Sequence, residues 1–292
     1  MRFLRKSIDT ADLRSKLDLT DIVLVYPYVD PPRNKSIFRF PPLGLGYIAA
    51  YLRDTGFNVS IVDATFTGET IAIERVKELN PRIVGVYSMF TMREASLRFA
   101  RALRESCELI IVGDPLPTVE PETYIGDFDV AAVGEGEETM LEIARGDNLR
   151  DVNGIVYRER EGKPLRTNEE GGEVIRTRAR RVLQNLDSVP LPARDLFDNA
   201  AYIDYYKKRH DPPTTSAITS RGCPFACDFC SHPIFGESFR ERSASNMADE
   251  VKQILDLGYK RVFFQDDCFT LTKRRVVKFC DEVEKRGLMF GW

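Results

Sequence analysis

Three cysteines lie close together in the second half of the chain. Cys223, Cys227 and Cys230 follow the spacing C-x3-C-x2-C. Structural zinc sites generally use four ligands, often in paired C-x2-C knuckles. Three thiolates without a fourth partner are instead typical of a four-iron cluster in which one iron stays open for a substrate or a second cofactor. The spacing therefore predicts an iron–sulfur site with its chemistry at the open iron.

The histidines leave one alternative to that cluster. His232 follows the third cysteine and would complete a zinc site of three cysteines and one histidine. The chain has only 2 histidines, the other being His210, which argues against multi-histidine metal sites and against a Ser-His-Asp arrangement before that position. Cys107 and Cys280 sit in apolar, periodic stretches and are predicted to be buried free thiols.

Composition limits the class of protein. The 292 residues are enough for two compact domains, and the shares of apolar (43%) and charged (30%) residues are ordinary for a globular protein. A net charge of -3 gives no general attraction to nucleic acid or anionic membranes. The start of the chain lacks the apolar core of a secretory signal, and no run is long enough to span a bilayer. We expect a cytoplasmic protein with neither a nucleic acid nor a membrane as partner.

The elements that would position a site begin with an α/β pattern over residues 21–150. Short β-rich runs alternate there with amphipathic segments, which predicts a doubly wound, flavodoxin- or Rossmann-like parallel sheet. Such sheets bind ligands beyond the carboxyl ends of their strands. Glycine-rich loops at these ends favour a flat, bulky ligand, although tight turns without a ligand explain them equally well. The candidate binding residues are Leu43, Gly44, Ser88, Gly113, Gly134, Glu135 and Gly136.

The remaining chain divides into three further parts. Residues 1–20 form an N-terminal extension, and residues 151–213 are predicted to be a hairpin followed by a proline-rich strap. From residue 214 to 292 the pattern is β-α-β-α-β, which we interpret as the first part of a partial (β/α) barrel. The cysteines follow its first strand, and Asp266 and Asp267 follow its second. Barrel enzymes place their chemistry at such strand ends.

Taken together, these segments resemble the radical S-adenosylmethionine family. The cysteine motif, with Phe229 before its last cysteine, resembles the signature loop of that family. Other segments resemble the branch with an N-terminal cobalamin-binding domain, and the resemblance runs from Asp21 to Trp292. These segments are Pro-Pro-Leu-Gly-Leu-Gly-Tyr-Ile-Ala (41–49), Val-Gly-Glu-Gly-Glu-Glu (133–138), Leu-Asp-Ser-Val-Pro-Leu-Pro-Ala-Arg (186–194), Ser-Arg-Gly-Cys-Pro (220–224) and Phe-Phe-Gln-Asp-Asp-Cys-Phe-Thr (263–270).

The resemblance implies a cofactor set and a reaction type. The three cysteines would hold a [4Fe-4S] cluster, whose open iron would bind S-adenosylmethionine and cleave it reductively to a 5′-deoxyadenosyl radical for methyl transfer or related C–H chemistry. Phe229 would pack near the adenine. Asp266 or Asp267 would meet the methionine ammonium, with a structural salt bridge as the alternative. An electron donor and an unknown small-molecule or peptide substrate are the implied partners.

Cobalamin is the third implied cofactor, and the sequence departs from the common pattern for it. Many corrinoid domains offer a histidine to the cobalt, but none precedes His210. A turn that frequently reads Gly-Gly-x-His in relatives reads Gly113-Asp-Pro-Leu116 in this chain. The resemblance therefore implies cobalamin without a histidine ligand from the protein.

The barrel part is short for this family. A full barrel uses about 30 residues per β/α unit, so residues 214–292 hold about two and a half units, whereas the resemblance implies six. Three hypotheses follow: one half of a split enzyme completed by a second polypeptide, a truncated remnant without activity, or a corrinoid-binding module without radical chemistry. The open edge of a partial parallel sheet predicts association.

Overall fold

The computed structural model describes residues 20–28, 39–166, 169, 171–230 and 234–292. Apart from Thr20, the predicted N-terminal extension lies outside these residues. His232 lies outside them as well, so the zinc alternative that depends on it stays a prediction.

The predicted N-terminal parallel sheet is confirmed. Its strands are largely apolar, as expected for a sheet that is covered on both faces, although the edge strand Val59–Asp63 also carries Ser60 and Asp63. They pair in the order β2-β1-β3-β4-β5, all parallel. The strands are β1 (Ile22–Tyr26), β2 (Val59–Asp63), β3 (Ile83–Tyr87), β4 (Leu109–Gly113) and β5 (Val130–Ala132).

Helices cover both faces of this sheet, because alternate residues of each strand point to opposite sides. Ile22 and Leu24 of β1 join one core with helices α1 and α5, whereas Val23 and Val25 join a second core with α2 and α3. The helices are α1 (Leu43–Asp54), α2 (Glu69–Leu79), α3 (Arg93–Leu103), a short α4 (Pro115–Val119) and α5 (Glu137–Arg145).

The predicted hairpin after residue 150 adds to the same sheet. Strand β6 (Ile155–Arg160) pairs antiparallel with β5, and β6 in turn pairs with β7 (Lys163–Pro164) and β8 (Glu173–Arg176). The sheet therefore continues past residue 150, across the boundary that the sequence suggested.

Residues 199–292 form the C-terminal unit, built as the start of a barrel. Strands β9 and β12 pair in parallel, with Thr214 opposite Arg261. The described elements are α6 (Asn199–Lys208), β9 (Thr214–Ala217), β10 (Ser220–Arg221), β11 (Arg240–Glu241), α7 (Ala244–Asp256), β12 (Arg261–Phe264) and α8 (Lys273–Lys285). Strands β10 and β11 pair antiparallel on either side of the cysteine loop.

Ser243 caps α7 by accepting a hydrogen bond from the Asn246 backbone N–H at 3.2 Å. Two details of this unit differ from the sequence prediction. The third strand of the predicted β-α-β-α-β pattern is reduced, within the described residues, to an isolated bridge between Gly291 and Arg261. Cys280 is exposed rather than buried, because α8 turns Phe279 and not its neighbour toward the core.

None of the described helices combines the length and the apolar character that crossing a bilayer requires.

Candidate functional site

A cavity of about 270 Å³ lies at the carboxyl ends of the parallel strands. Tyr26 and Tyr87, at the ends of β1 and β3, line it from the sheet. Ile218, Arg221 and Phe235 line it from the C-terminal unit. The cavity therefore lies where doubly wound sheets bind ligands, and both halves of the chain contribute to its wall.

Six of the seven predicted binding residues line this cavity. They are Leu43, Gly44, Gly113, Gly134, Glu135 and Gly136. A Cβ atom at Gly136 would lie 2.9 Å from the Ile48 Cδ1 atom, so the Ile48 side chain would have to shift to admit one. Gly134 is needed conformationally, because its φ of 86° is one that residues with a side chain rarely adopt.

Ser88 is the exception among the seven. Its hydroxyl is buried and lies 2.9 Å from the Ser96 Oγ atom and 2.8 Å from the Tyr124 hydroxyl. Ser88 is not among the described residues that line the cavity. The hydroxyl instead satisfies polar groups beneath the end of β3, which is the usual state of a buried hydroxyl.

A buried ion network forms the boundary between the cavity and the C-terminal unit. The Arg240 Nη1 atom lies 2.6 Å from the Glu135 Oε1 atom, and the Arg221 Nη2 atom lies 2.5 Å from the Glu137 Oε1 atom. All four side chains are at most 6% exposed. The carboxylate of Glu135 is thus engaged by arginine although the residue lines the cavity. Glu137, Arg221 and Arg240 were not predicted as site residues, because nothing in the sequence pairs residues so far apart.

Asp114 is a further cavity residue that the sequence analysis did not assign to the site. It follows β4 with a φ of 92°, in a conformation that favours glycine. Burial raises the pKa of its carboxyl to about 7; the negative charge of Glu137 also raises this pKa, and a hydrogen bond with Tyr87 opposes the rise. The departure of Asp114 from the Gly-Gly-x-His pattern was the signal that could have found it.

The cysteine loop leaves the C-terminal unit between β10 and β11. The Cys223 backbone N–H donates to the Gly236 carbonyl at 3.1 Å, and that of Cys230 donates to the Cys227 carbonyl at 3.0 Å. Cys227 and Cys230 are exposed and Cys223 is half-buried. Phe229 is 93% exposed on the same loop.

The thiol groups of the cysteine loop are suited to a soft metal ion, although in this structure they do not converge on one point. In the part of the chain that the structure describes, no three His, Cys, Asp or Glu side chains converge closely enough to hold a metal ion. All six cysteines are nevertheless free thiols, and the loop presents three of them on one short segment. Thiolates select zinc, copper(I) and iron–sulfur centres over harder ions. The residues therefore fit an iron–sulfur cluster chemically.

The cavity also fits a polar, bulky ligand. Arg221 lines it, and the Nη1 atom of this arginine lies 3.7 Å from the Glu135 Oε2 atom, without a hydrogen-bond partner among the described residues. Buried donors are normally satisfied, so this guanidinium has hydrogen-bonding capacity that the described residues leave unused. A ligand with many carbonyl groups, such as the amide-bearing corrin ring of cobalamin, has acceptors suited to such a group.

The two predicted aspartates have different surroundings. The Asp266 carboxylate is fully buried and accepts hydrogen bonds from the Thr219 backbone N–H at 2.8 Å and from the Ser220 hydroxyl at 2.6 Å. It also pairs with Arg275 at 3.2 Å. These contacts match the structural alternative for Asp266, since they turn the chain after β9. Asp267 is exposed beyond the end of β12.

A fourth cysteine lies beside the motif. The Cys268 Sγ atom is 3.3 Å from the Cys223 Sγ atom. The two residues are far apart in sequence, so the spacing of the motif gave no sign of the contact. It arises because β9 and β12 are parallel neighbours, so that the chain segments after them leave on the same side of the unit.

Comparisons with known proteins agree with this architecture. The model of the B12 binding domain matches residues 33–144. An uncharacterized methyltransferase of Pyrococcus horikoshii is 30% identical over 285 residues, covering 90% of this chain and 57% of the relative. The anaerobic magnesium-protoporphyrin IX monomethyl ester cyclase of Rubrivivax gelatinosus is 28% identical over 290 residues, covering 93% of this chain and 49% of the relative.

A solved structure extends the likeness to the fold. The cobalamin-dependent S-adenosylmethionine radical enzyme OxsB, with aqua-cobalamin and S-adenosylmethionine bound, superposes with a TM-score of 0.75 at 21% identity. The match covers 96% of this chain and 39% of OxsB. The chain thus spans about half the length of the curated relatives that it matches.

Proposed function

Because the chain belongs to the radical S-adenosylmethionine family, in the branch with a cobalamin-binding domain, we propose that it binds a [4Fe-4S] cluster, S-adenosylmethionine and cobalamin for methyl transfer or related C–H chemistry. The observation that carries the proposal is the shared wall of the cavity. Residues at the strand ends and residues beside the cysteine loop line the same space, so a ligand in it would be held next to the loop.

The cysteine loop is the proposed cluster site. Cys223, Cys227 and Cys230 would ligate three irons, and the bound cluster would supply the electron that cleaves S-adenosylmethionine to a 5′-deoxyadenosyl radical. The chain itself contributes the anchoring of the loop. Arg221, two residues before the first cysteine, is held by Glu137 at 2.5 Å, and this ion pair fixes the start of the loop against the cavity.

The cavity is the proposed corrinoid site, where cobalamin would supply a cobalt centre that carries a methyl group. Leu43, Gly44 and Gly113 leave the backbone close to the ligand, and Gly134 and Gly136 do the same on the facing loop. No histidine precedes His210 in the chain, so we infer that the protein gives the cobalt no histidine ligand.

For S-adenosylmethionine we propose Phe229 and Asp267. The Phe229 ring is exposed on the cysteine loop and is able to pack against a purine. Asp267 is exposed at a strand end on the same side, and its carboxylate has the charge that an ammonium group requires. Asp266 is already engaged by Arg275 at 3.2 Å, so Asp267 is the carboxylate that we assign to this role.

We also propose a compartment, an electron donor and further barrel units for this reaction. Six free thiols are in keeping with a reducing cytoplasm, and the reductive step requires an electron donor. Because the chain spans about half the length of its relatives, we propose the reaction for the protein that this chain forms with further barrel units, in the same polypeptide or a second one. The carbon substrate, a small molecule or a peptide, would be bound largely by those units.

Anaerobic reconstitution tests the cluster. We expect about four iron and about four sulfide per chain, with the broad absorbance of a [4Fe-4S] centre. The variant Cys227→Ser should lose most of this iron, whereas Cys280→Ser, which removes an exposed cysteine on α8, should retain it. Zinc uptake in place of iron would contradict the proposal.

Two further assays separate the proposed enzyme from the corrinoid-binding module. Formation of 5′-deoxyadenosine from S-adenosylmethionine under reducing conditions supports radical chemistry. Cobalamin binding by a chain that assembles no cluster supports the module instead. Because the chain spans about half the length of its relatives, the cleavage assay belongs on the longest protein that contains this chain.

A further inference from the structure

Asp114 has a strained backbone conformation. Its φ is 92° and its ψ is -163°, a combination that is essentially confined to glycine. The residue stands directly after β4, where the strand ends at the cavity. Strained residues of this kind cluster at functional sites, so the side chain of Asp114 requires an explanation.

The carboxyl of Asp114 belongs to the cavity wall. Asp114 lines the cavity and keeps part of its surface accessible. Helix α1 lies beside the carboxyl, since a Cβ atom added at Gly44 would be 3.4 Å from the Asp114 Oδ2 atom, which is an ordinary contact distance.

One neighbour of this carboxyl stabilises its charge and one opposes it. Tyr87, at the end of β3, shares a hydrogen bond with it that lowers its pKa, and Tyr26, at the end of β1, packs edge-on against Tyr87 with the ring centroids 5.1 Å apart. Glu137, at the start of α5, carries a negative charge that opposes ionisation of the carboxyl. Arg221, which also lines the cavity, is bound to Glu137 at 2.5 Å.

The other titratable groups that line the cavity leave the carboxyl without a further charge partner. Helix α1 presents Tyr47 beside Leu43 and Gly44, and burial raises the pKa of the Tyr47 phenol well above its usual range, so that it stays neutral. Glu135, on the loop after β5, is paired with Arg240. Burial is accordingly the main reason that the pKa of Asp114 is raised to about 7.

We propose that Asp114 is a proton-exchanging residue of the corrinoid cavity: a bound corrinoid seals its carboxyl from water, and the site then takes up one proton from the buffer for each ligand bound. The inference rests on the proposed corrinoid function. It adds to that function a pH-dependent step located at one residue.

The sign of the effect follows from linkage. Removal of water disfavours the charged form, so the pKa of Asp114 in the complex lies above its value in the free protein. Binding and protonation then favour each other. The affinity for the ligand is therefore highest when the carboxyl is already protonated, and it falls as pH rises through 7, by at most about tenfold per pH unit for one proton.

Calorimetric titration of the full chain with methylcobalamin tests the proposal without any requirement for turnover. This probe is neutral overall and does not itself titrate between about pH 6 and about pH 8.5 in the free state. Titrations in two buffers with different ionisation enthalpies give the number of protons exchanged. We expect close to none at about pH 6 and a value approaching one at about pH 8.5, with an affinity lower by up to about 30-fold at the higher pH.

Two variants locate the proton. Asp114→Asn keeps the shape of the side chain, and Asp114→Gly suits the backbone conformation; both should bind methylcobalamin without the proton uptake at about pH 8.5. Asp63→Asn is the matched control. Asp63, at the end of β2, is a second buried carboxyl with a raised pKa. It differs from Asp114 because it accepts a hydrogen bond from the Tyr202 hydroxyl at 2.6 Å and is not among the described residues that line the cavity. It should retain the uptake of the unmodified protein.

The outcomes are distinct. Binding by the unmodified protein without proton uptake at about pH 8.5, or uptake that persists in both Asp114 variants, would overturn the role of Asp114 and leave the corrinoid function standing. A failure of the unmodified protein to bind methylcobalamin would overturn the corrinoid function, and the role of Asp114 with it.

Discussion

The Arg240 Nη1 atom lies 2.6 Å from the Glu135 Oε1 atom, and this ion pair fastens the C-terminal unit to the loop that follows β5. The same guanidinium donates to the carbonyl of Leu183 at 2.7 Å and to that of Phe235 at 3.0 Å. Both charged side chains are almost completely buried. The pair thus joins three segments at the edge of the cavity.

Removal of Glu135 should destabilise this junction strongly. In Glu135→Ala, Arg240 keeps its buried charge without a carboxylate, and such losses cost about 3–5 kcal/mol. Chemical denaturation measures the free energy of unfolding. Glu138→Ala is the control, because Glu138 is 40% exposed and its partner Arg180 also pairs with Glu142; its cost should stay within about 1 kcal/mol. Equal costs for the two variants would contradict a structural role of the buried pair.

Gly222 should be indispensable for presentation of the cysteines. Its φ is 81°, and a Cβ atom there would collide with the Ser238 carbonyl oxygen. We expect Gly222→Ala to lose most of the iron that the unmodified chain incorporates, as measured by iron analysis after anaerobic reconstitution.

The variant Gly236→Ala serves as a control, because it tests the cost of a positive φ without a steric clash of the added Cβ atom. Gly236 also has a positive φ, of 64°, but nothing lies within 4 Å of the position of its Cβ atom. This variant bears only the backbone cost of about 1–2 kcal/mol and should retain its iron. An unchanged iron content in Gly222→Ala would show that the loop tolerates a shift at its start.

Asp114 should also make the stability of the ligand-free protein depend on pH. The unfolded chain releases this proton near the ordinary pKa of 3.8, whereas the folded protein holds it up to about 7. The contribution of Asp114 to stability is therefore fully present below about pH 4 and is lost as pH rises to about 7, by at most about 1.4 kcal/mol per pH unit. Urea denaturation across this range measures it. Asp114→Asn should remove this part of the slope, and identical slopes would refute the assignment.

Cys223 and Cys268 should form a disulfide in the metal-free protein, because their sulfur atoms lie 3.3 Å apart. With oxidised glutathione as the oxidant, the two thiols lose two electrons and two protons, and the glutathione disulfide is reduced to two thiols. Peptide mapping without reductant should detect the linkage. Cys268→Ser should abolish it and Cys280→Ser should not. A map dominated by a bond between Cys227 and Cys230 would contradict the prediction.

The sequence predicted the elements with strong local signals. The β-rich runs Ile22–Tyr26, Val59–Asp63 and Ile83–Tyr87 stand between turns, and the structure has strands at these same residues. The glycines at their ends were recognisable because loops at strand ends of such sheets form binding sites. The three cysteines were recognisable from spacing alone.

What the sequence did not predict depends on contacts between distant residues. The pairing of Arg221 with Glu137 joins positions that only the folded chain brings together. Ser88 follows a strand end just as the cavity residues do, but its Oγ atom is hydrogen-bonded to the Tyr124 hydroxyl at 2.8 Å and lies in the core. The conformation of Asp114 was equally hidden, since aspartate carries no local preference for it.

The short strand β7 has a consequence for how the molecule meets its neighbours. A sheet that ended at β5 would offer an unpaired row of backbone amides to any other chain. The added hairpin covers β5 with β6 instead, and two short strands, β7 (Lys163–Pro164) and β8 (Glu173–Arg176), pair with β6 in turn. Short border strands that carry charged side chains or a proline resist strand-to-strand polymerisation, so this flank is poorly suited to fibre growth.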